Sequence, residues 1–328
     1  MEDMKTIITI SIPDTDHMEF PLIFKQSKSH CVWLDWGDGS ERDSFDQAGL
    51  IEVVHTYAEP GDYDIEMFAV DEGTIELLGV GNETGYRNMV ANIVVGNDVT
   101  LVHANAFSAC DNLEELTFLG DNTDIQEYAF ADCGSLVEVA LPKQLNILHP
   151  GVFFNCSSLK KVEMPETIST IAENVFYGCS QLKSIDLHTV DEIGMYAFHG
   201  CRKLTALDMG DSTRKIDEGA FDSCNSVRSI VLSKAEDIAD FAFSNCRSVS
   251  RITLPSTVKT IGHGAFMNCG FLKMLKIEAN KPPVLGSIDA FDGIDALVIT
   301  VPKDAKKNYV KATNWNVFAD QIEEEDAE

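Results

Sequence analysis

The sequence predicts a mainly β chain: a small β module, then a solenoid of about ten coils of 22–23 residues, closed by a short C-terminal capping helix. Three observations predict it. Eight of the nine cysteines, Cys110, Cys133, Cys156, Cys179, Cys201, Cys224, Cys246 and Cys269, are spaced 23, 23, 23, 22, 23, 22 and 23 residues apart. A phenylalanine stands three residues before each: Phe107, Phe130, Phe153, Phe176, Phe198, Phe221, Phe243 and Phe266, with Phe291 opening a ninth copy. An alternating apolar step follows each cysteine. A fixed period of this length is the mark of stacked repeats.

Each coil is built on one plan. Leu or Val follows the cysteine by three residues, from Leu113 to Leu272. Pairs such as Leu116/Phe118, Val139/Leu141 and Ile252/Leu254 come next, an alternation that makes a three-residue strand with one face inward. Pro142, Pro165, Pro255 and Pro302 follow their strands, and a second apolar step, such as Ile168-x-x-Ile171, leads to the next Ala-Phe or Val-Phe. One coil cannot bury such a face alone, but stacked neighbours can, as a parallel ladder. Ten strands are expected, from Ile93-Val94-Val95 to Ile299-Thr300-Val301. The phenylalanine fills one interior corner and the cysteine is a small filler at a tight one. A column of parallel side chains does not converge as zinc ligands must. Even spacing also points to reduced, buried thiols rather than disulfide pairs, which suits a reducing or anaerobic setting.

The repeat resembles the BspA-like class of leucine-rich repeats over about residues 85–302, in eight good copies and two degraded ones. The resemblance implies a surface protein of the adhesive kind. It leaves the ligand unnamed.

At the C-terminal end the spacing predicts a helix over 304–312, with Trp315, Val317, Phe318 and Ile322 covering the last coil. Glu323, Glu324, Glu325, Asp326 and Glu328 read as a solvated, frayed terminus. At the N-terminal end, Ile8-Thr9-Ile10-Ser11-Ile12 and Val32-Trp33-Leu34-Asp35-Trp36 read as strands and Gly37-Asp38-Gly39-Ser40 as a tight turn. Trp36-Gly37-Asp38-Gly39, followed by His55-Thr56-Tyr57-x-x-Pro60-Gly61-x-Tyr63, resembles the core signature of PKD domains, which are Ig-like β-sandwiches. That resemblance implies core roles for Trp36, Tyr57 and Tyr63, turn-stabilising roles for Asp38 and His55, and a spacer or contact module rather than a reaction. Asp35, Asp38, Asp62 and Asp64 read as turn carboxylates, with a shared cation as the alternative. The expected domains are 1–83 (PKD-like β-sandwich), 84–302 (solenoid) and 303–328 (cap and acidic tail).

The formal charge of −28 argues against nucleic acid, whose phosphates need clustered Lys and Arg, and against anionic membrane surfaces. It reads either as solubility or as attraction for a cationic partner or divalent cations. Residues 1–83 alone carry nineteen acids and four bases, or −15. No stretch reaches the roughly 18 apolar residues of a membrane span. Met1-Glu2-Asp3-Met4-Lys5 shows no basic segment leading into an apolar one. The expectation is a chain not exported by that route or one whose leader has been removed.

No chemistry-bearing motif stands out. The eight histidines are scattered without His-x-x-x-His, and no Gly-x-Ser-x-Gly or phosphate-loop motif occurs. Gly79-Val80-Gly81-Asn82-Glu83-Thr84-Gly85 has the wrong glycine spacing for a dinucleotide loop and reads as an inter-domain linker. No enzyme, cofactor or metal is expected. The outward row of the ladder runs Thr117, Ala140, Glu163, Asp186, Asp208, Val231, Thr253, Lys276, and two residues earlier Glu115, Glu138, Lys161. Glu138, Glu163, Asp186 and Asp208 are therefore the candidate ligand-binding residues, with a merely solvated face as the alternative. The function expected is non-enzymatic binding or adhesion toward a protein or glycan partner, at the cell surface or secreted. An intracellular scaffold, or a structural or receptor-contacting component of a phage or other large assembly, stays open beside it.

Overall fold

The computed structural model describes residues 5–81 and 83–325. Met1–Met4, on which the reading of the start partly falls, and Asp326 and Glu328 of the acidic tail lie outside the described residues. The chain divides into two compact units, Met1–Thr167 and Ile168–Glu328.

The first unit begins with seven strands: β1 (Thr6–Ile12), β2 (Glu19–Gln26), β3 (Val32–Asp35), β4 (Asp43–Ser44), β5 (Gly49–Thr56), β6 (Gly61–Ala69) and β7 (Ile75–Gly79). Their alternation is the two-residue period of half-buried strands. Ile8, Ile10 and Ile12 of β1 and Phe20, Leu22 and Phe24 of β2 are buried while their neighbours are not. The coils follow, with a short helix α1 (Thr84–Arg87) and strands β8 (Val90–Val95), β9 (Val99–Val102), β10 (Glu115–Phe118), β11 (Asp124–Ile125), β12 (Glu138–Ala140), β13 (Ile147–Leu148) and β14 (Lys161–Glu163).

Two sheets organise this unit, in the orders β14-β12-β10-β8-β1-β6-β3-β4 and β11-β9-β7-β2-β5. Both cross the 83/84 position. In the first, β1 is antiparallel to β8, which is parallel to β10. In the second, β7 is antiparallel to β2 and parallel to β9. A parallel ladder exposes an edge at its first coil, and here the antiparallel strands cover it. Of the segment read as a linker, Asn82 lies outside the described residues. Arg87 is buried, and its guanidinium donates to the carbonyls of Gly81, Asn105 and Ser108.

The second unit contains β15 (Thr170–Ile171), β16 (Glu192–Ile193), β17 (Ala206–Asp208), β18 (Lys215–Ile216), β19 (Ser229–Val231), β20 (Asp237–Ile238), β21 (Arg251–Leu254), β22 (Thr260–Ile261), β23 (Met274–Ile277), β24 (Val284–Leu285), β25 (Val298–Val301), helix α2 (Lys306–Tyr309) and β26 (Ile322–Glu324). Strands β15-β16-β18-β20-β22-β24 and β17-β19-β21-β23-β25-β26 form its two parallel ladders.

The same corner recurs in every coil. Phenylalanine rings stack at centroid distances of 5.7 and 6.1 Å from Phe107 through Phe130 to Phe153. In the second unit the spacing is 5.2, 5.0, 5.4, 5.5 and 5.9 Å from Phe176 to Phe291. Two backbone positions per coil take positive φ, the residue two before the phenylalanine and the residue before the cysteine. Tyr128, Tyr196 and Phe241 occupy the first despite the strain of a side chain there. In the following coil that position is Gly151, Gly219 or Gly264, and a Cβ on those glycines would lie 2.2, 2.2 and 2.5 Å from the preceding ring. The aromatic ring thus lies over the bare glycine of the next coil, which explains an irregular sequence at a regular site.

The cysteine has a polar task as well as a packing one. Its Sγ donates to the carbonyl of the phenylalanine one coil back: Cys133 to Phe107, Cys156 to Phe130, Cys201 to Phe176, Cys224 to Phe198, Cys246 to Phe221 and Cys269 to Phe243, at 3.1–3.4 Å. The carbonyls of Phe176, Phe198, Phe221 and Phe243 also accept the backbone N–H of the cysteine in their own coil, so the thiol adds a second, inter-coil hydrogen bond to an acceptor that has two lone pairs. Thr123, Thr189, Thr213 and Thr257 do the same on another side, donating to Val99, Ile168, Val190 and Ala235. All nine cysteines are buried. Burial pushes the Cys269 thiol up to about 12 and raises those of Cys201, Cys224 and Cys246. Because the thiolate is the nucleophile, the folded chain is expected to resist a thiol-specific disulfide reagent, and the denatured chain to release nine equivalents. Fast labelling of two or more thiols in the native state would contradict this packing.

Four expectations need correction. The strand expected at Ile185-Asp186-Leu187 does not form. Asp186 instead accepts the His188 backbone N–H at 3.1 Å and pairs with His188 Nδ1 at 2.7 Å, a local bond that competes with ladder pairing. The acidic segment is not frayed at its start. Ile322–Glu324 is strand β26, in register with Ile299–Val301, and Glu325 N–H bonds the Val301 carbonyl. The C-terminal helix spans only Lys306–Tyr309. Trp315 and Ile322 are buried over the last coil and Phe318 is half-buried, but Val317 is 54% exposed. Trp315 lies 6.0 Å from Phe291, and its indole N–H donates to the Pro283 carbonyl.

Candidate functional site

The outward face of the strand ladder is positioned by inward neighbours that are fixed in the core. In the first unit Leu116, Val139 and Val162 are buried, so Glu115, Thr117, Glu138, Ala140, Lys161 and Glu163 must face solvent. The register places Glu115, Glu138 and Lys161 side by side on β10, β12 and β14, and Thr117, Ala140 and Glu163 in the next row. Together they line a groove of about 310 Å³. Lys161 bonds Glu163 on its own strand, and that hydrogen bond raises the lysine pKa. Glu138, in register with Lys161 on the next strand, adds to that rise through its charge. Two carboxylates opposite each other across a strand pair repel, so this arrangement costs stability.

In the second unit Asp186 and Asp208 flank an imidazole. His188 Nδ1 lies 2.7 Å from Asp186 and Nε2 3.6 Å from Asp208. The Asp186 side-chain hydrogen bond raises the His188 pKa, while the His188 backbone N–H and ring lower that of Asp186. Asp208 also accepts the Gly210 N–H at 3.0 Å. The two aspartates are thus engaged by their own chain, and the two glutamates of the first unit share Lys161: Glu163 accepts its hydrogen bond, and Glu138 interacts with it through charge alone. Glu115 and His188 escaped the sequence reading as site residues. The signal for Glu115 was its register with Glu138; the signal for His188 was its two-residue spacing from Asp186.

The N-terminal carboxylates have partners too. Asp38 accepts the Ser40 N–H and pairs with His55 Nε2 at 2.7 Å, and its pKa is lowered to about 2, with hydrogen bonds from Ser40 and His55 outweighing burial. Asp35 binds Arg42 and Asp64 accepts from Thr9. His55 stacks on Trp36 at 4.7 Å, and Tyr57 donates to the Trp36 carbonyl. Trp36 and Tyr57 are buried, and Tyr63 is half-buried. Among the described residues no group of three His, Cys, Asp or Glu is placed to hold a metal ion, and no helix is long and apolar enough to cross a membrane.

No curated protein matches the chain. Among solved structures, it is similar to a leucine-rich repeat protein from Bacteroides ovatus, at 18% identity over 84% of this chain and 90% of that one, with a TM-score of 0.36. It is also similar to the T. pallidum leucine-rich repeat protein, at 22% identity over 68% and 87% of the two chains and a TM-score of 0.38. A leucine rich cell surface protein from Faecalibacterium prausnitzii shares 21% identity over 73% and 80%, with a TM-score of 0.35. The family described as BspA type Leucine rich repeat region (6 copies) matches residues 80–205 and 184–297. Those spans take in the whole run of Phe–Cys coils, from Phe107 to Cys269, and more than half of the sequence; the chain belongs to the BspA-type leucine-rich-repeat family.

Proposed function

We propose that the chain is a non-enzymatic binding protein that offers the outward face of its strand ladder to a protein or glycan partner of cationic character, at the cell surface or secreted. Repeat proteins of this family are generally of the protein-binding or adhesion type. The observation that carries the reading is the groove lined by Glu115, Glu138 and Glu163, three exposed carboxylates that face a single lining cation, Lys161. An excess of carboxylates over bases in one groove leaves a net negative field that attracts a cation. Asp186 and Asp208 form a separate acidic group in the second unit. In this reading residues 1–83 are a PKD-like module, supported by the Trp36–His55–Tyr57 cluster, that closes the first coil; 84–302 are the solenoid and 303–328 the cap. An intracellular scaffold is the second reading, supported by the column of buried cysteines, which suits a reducing compartment.

The test is an array of matrix proteins and glycans probed with the wild-type chain and with two double variants, Glu138→Lys/Glu163→Lys and Asp186→Lys/Asp208→Lys. For a captured ligand, the first is expected to weaken binding at least about tenfold, with a steep loss of wild-type binding as salt rises. The second is expected to act less, because His188 already occupies its carboxylates. A ligand that binds all three proteins equally would remove the ladder face from consideration.

A further inference from the structure

Strand β5 is the outer strand of the sheet β11-β9-β7-β2-β5. It runs eight residues, Gly-Leu-Ile-Glu-Val-Val-His-Thr, antiparallel to β2 from Thr56↔Glu19 to Gly49↔Gln26 without a break in register. Tyr57 N–H bonds the Met18 carbonyl just beyond the strand. The antiparallel alternation then turns the N–H and C=O groups of Ile51, Val53 and His55 toward β2 and those of Leu50, Glu52, Val54 and Thr56 away from it. Among the described residues none of these four outward N–H groups has a hydrogen-bond partner. The side chains of Leu50 and Val54 are each 57% exposed.

Folded proteins blunt such edges with short strands, charges, prolines or bulges. Other sheet-end strands here are blunted: β4 and β24 have two residues each, and β26 has three, two of them glutamates. Strand β5 carries one exposed carboxylate, Glu52, but no lysine, proline or bulge, and offers about 27 Å of unpaired backbone. The charge around it selects what can pair there, since residues 1–83 hold nineteen acids and four bases. A second copy of the same strand would bring like charge to like, and an acidic segment would be repelled.

We infer that the β5 edge is a docking site for an extended, net-basic segment of a partner protein, which adds to the sheet as a further strand. Backbone hydrogen bonds to Leu50, Glu52, Val54 and Thr56 carry the pairing, apolar side chains of the guest lie on Leu50 and Val54, and the negative field favours guests rich in Lys or Arg. This surface is separate from the ladder face proposed above and does not depend on it.

The probe is a fluorescent peptide of roughly ten residues alternating Lys and Val, long enough to span the strand. Its counterpart replaces Lys with Glu. The full chain is expected to bind the basic peptide at least about tenfold more tightly than the acidic one, and hydrogen exchange at Leu50, Glu52, Val54 and Thr56 is expected to slow when it binds. Val54→Pro removes an outward N–H without touching the ladder to β2, and is expected to lose binding at least about tenfold. Should that variant not fold, Leu50→Lys/Val54→Lys charges the edge without altering the backbone and is expected to give the same loss. Slowed exchange at Leu50, Glu52, Val54 and Thr56 without slowing at Glu115, Glu138 and Glu163 separates this site from the ladder face. The inference is overturned by no binding up to about 1 mM, by binding that the edge variants leave intact, or by a wild-type dimer in native mass measurement that Val54→Pro converts to monomer.

Discussion

Replacing Gly79 with alanine is expected to destabilise the first unit by about 3–5 kcal/mol, enough to unfold a marginal domain. Two costs add. Gly79 ends β7 at φ +111°, where an L side chain is strained by roughly 1–3 kcal/mol. Its added Cβ would also stand 1.8 Å from the Ala106 carbonyl oxygen, 2.6 Å from its carbon and 2.8 Å from its Cα. All three are backbone atoms of the corner that leads into Phe107, so no side chain can swing aside. The place matters as much as the clash. Strand β7 is parallel to β9 and antiparallel to β2, so it joins the N-terminal strands to the first coil. Two controls separate the costs. Gly39 has φ +83° with nothing within 4 Å of the added atom, so Gly39→Ala measures backbone strain alone; Gly85 has neither strain nor neighbour and should be close to neutral. Chemical denaturation of the three variants decides the matter. Gly79→Ala no less stable than Gly39→Ala would mean that the close approach of β7 to this corner is not a feature of the folded chain.

The repeat was legible because its constraint is one-dimensional. Each coil must supply a ring at one corner and a small residue at another, so Phe107 to Phe291 and Cys110 to Cys269 print their period directly on the sequence. What was not legible depends on neighbours one coil away. Tyr128, Tyr196 and Phe241 look unrelated to Gly151, Gly219 and Gly264 until the rings are seen lying over the glycines. The hydrogen bond from Cys224 to the Phe198 carbonyl is equally invisible in a pattern of apolar letters. The missing strand at Ile185–Leu187 failed for a local reason, since Asp186 satisfies His188 rather than a ladder partner, and apolar alternation carries no information about that competition. The strand at Ile322–Glu324 failed for the opposite one. Its glutamates read as a solvated tail, yet a parallel edge strand needs only one inward residue, and Ile322 provides it. At the candidate site, the acids at Glu138 and Glu163 could be read from register alone, whereas pairing by Lys161 and His188 could not.

These particulars bear on function because the outward residues are free of structural duty only where the inward ones are saturated. The buried row and the thiol and threonine hydrogen bonds hold each coil without help from Glu115, Glu138 or Thr117. Charge reversal there should therefore change what the chain binds and leave its stability within about 0.5 kcal/mol, as for other surface positions. The lateral rows of the ladder and the backbone of β5 are two different kinds of surface, one reading side-chain charge and the other reading backbone. A partner that used both would gain avidity by linkage, without new contacts at either.

The largest effect within the second unit is expected from Phe221→Ala. The ring is fully buried, with its centroid 5.0 Å from that of Phe198 and 5.4 Å from that of Phe243, and stacks nearly parallel to both. Truncation removes the transfer free energy of the ring and leaves a cavity between two coils, a loss of about 3–5 kcal/mol. It also loosens the corner at which Cys246 donates to the Phe221 carbonyl, 3.4 Å away, so two successive coils lose contact at one position. In a stack whose coils touch only their neighbours, weakening an internal junction separates the parts on either side. The expected denaturation profile is therefore broadened or biphasic, with a lower midpoint, rather than merely shifted. Phe271→Ala is the matched control, a phenylalanine 70% exposed that should cost within about 0.5 kcal/mol. Phe291→Ala tests the end of the stack, where Trp315 and Phe318 pack on the ring; it should lower stability while the remaining coils still unfold in one step. An unchanged single transition for Phe221→Ala would show that coupling between coils runs through the strand ladders alone, and that the column of rings fills space without transmitting order.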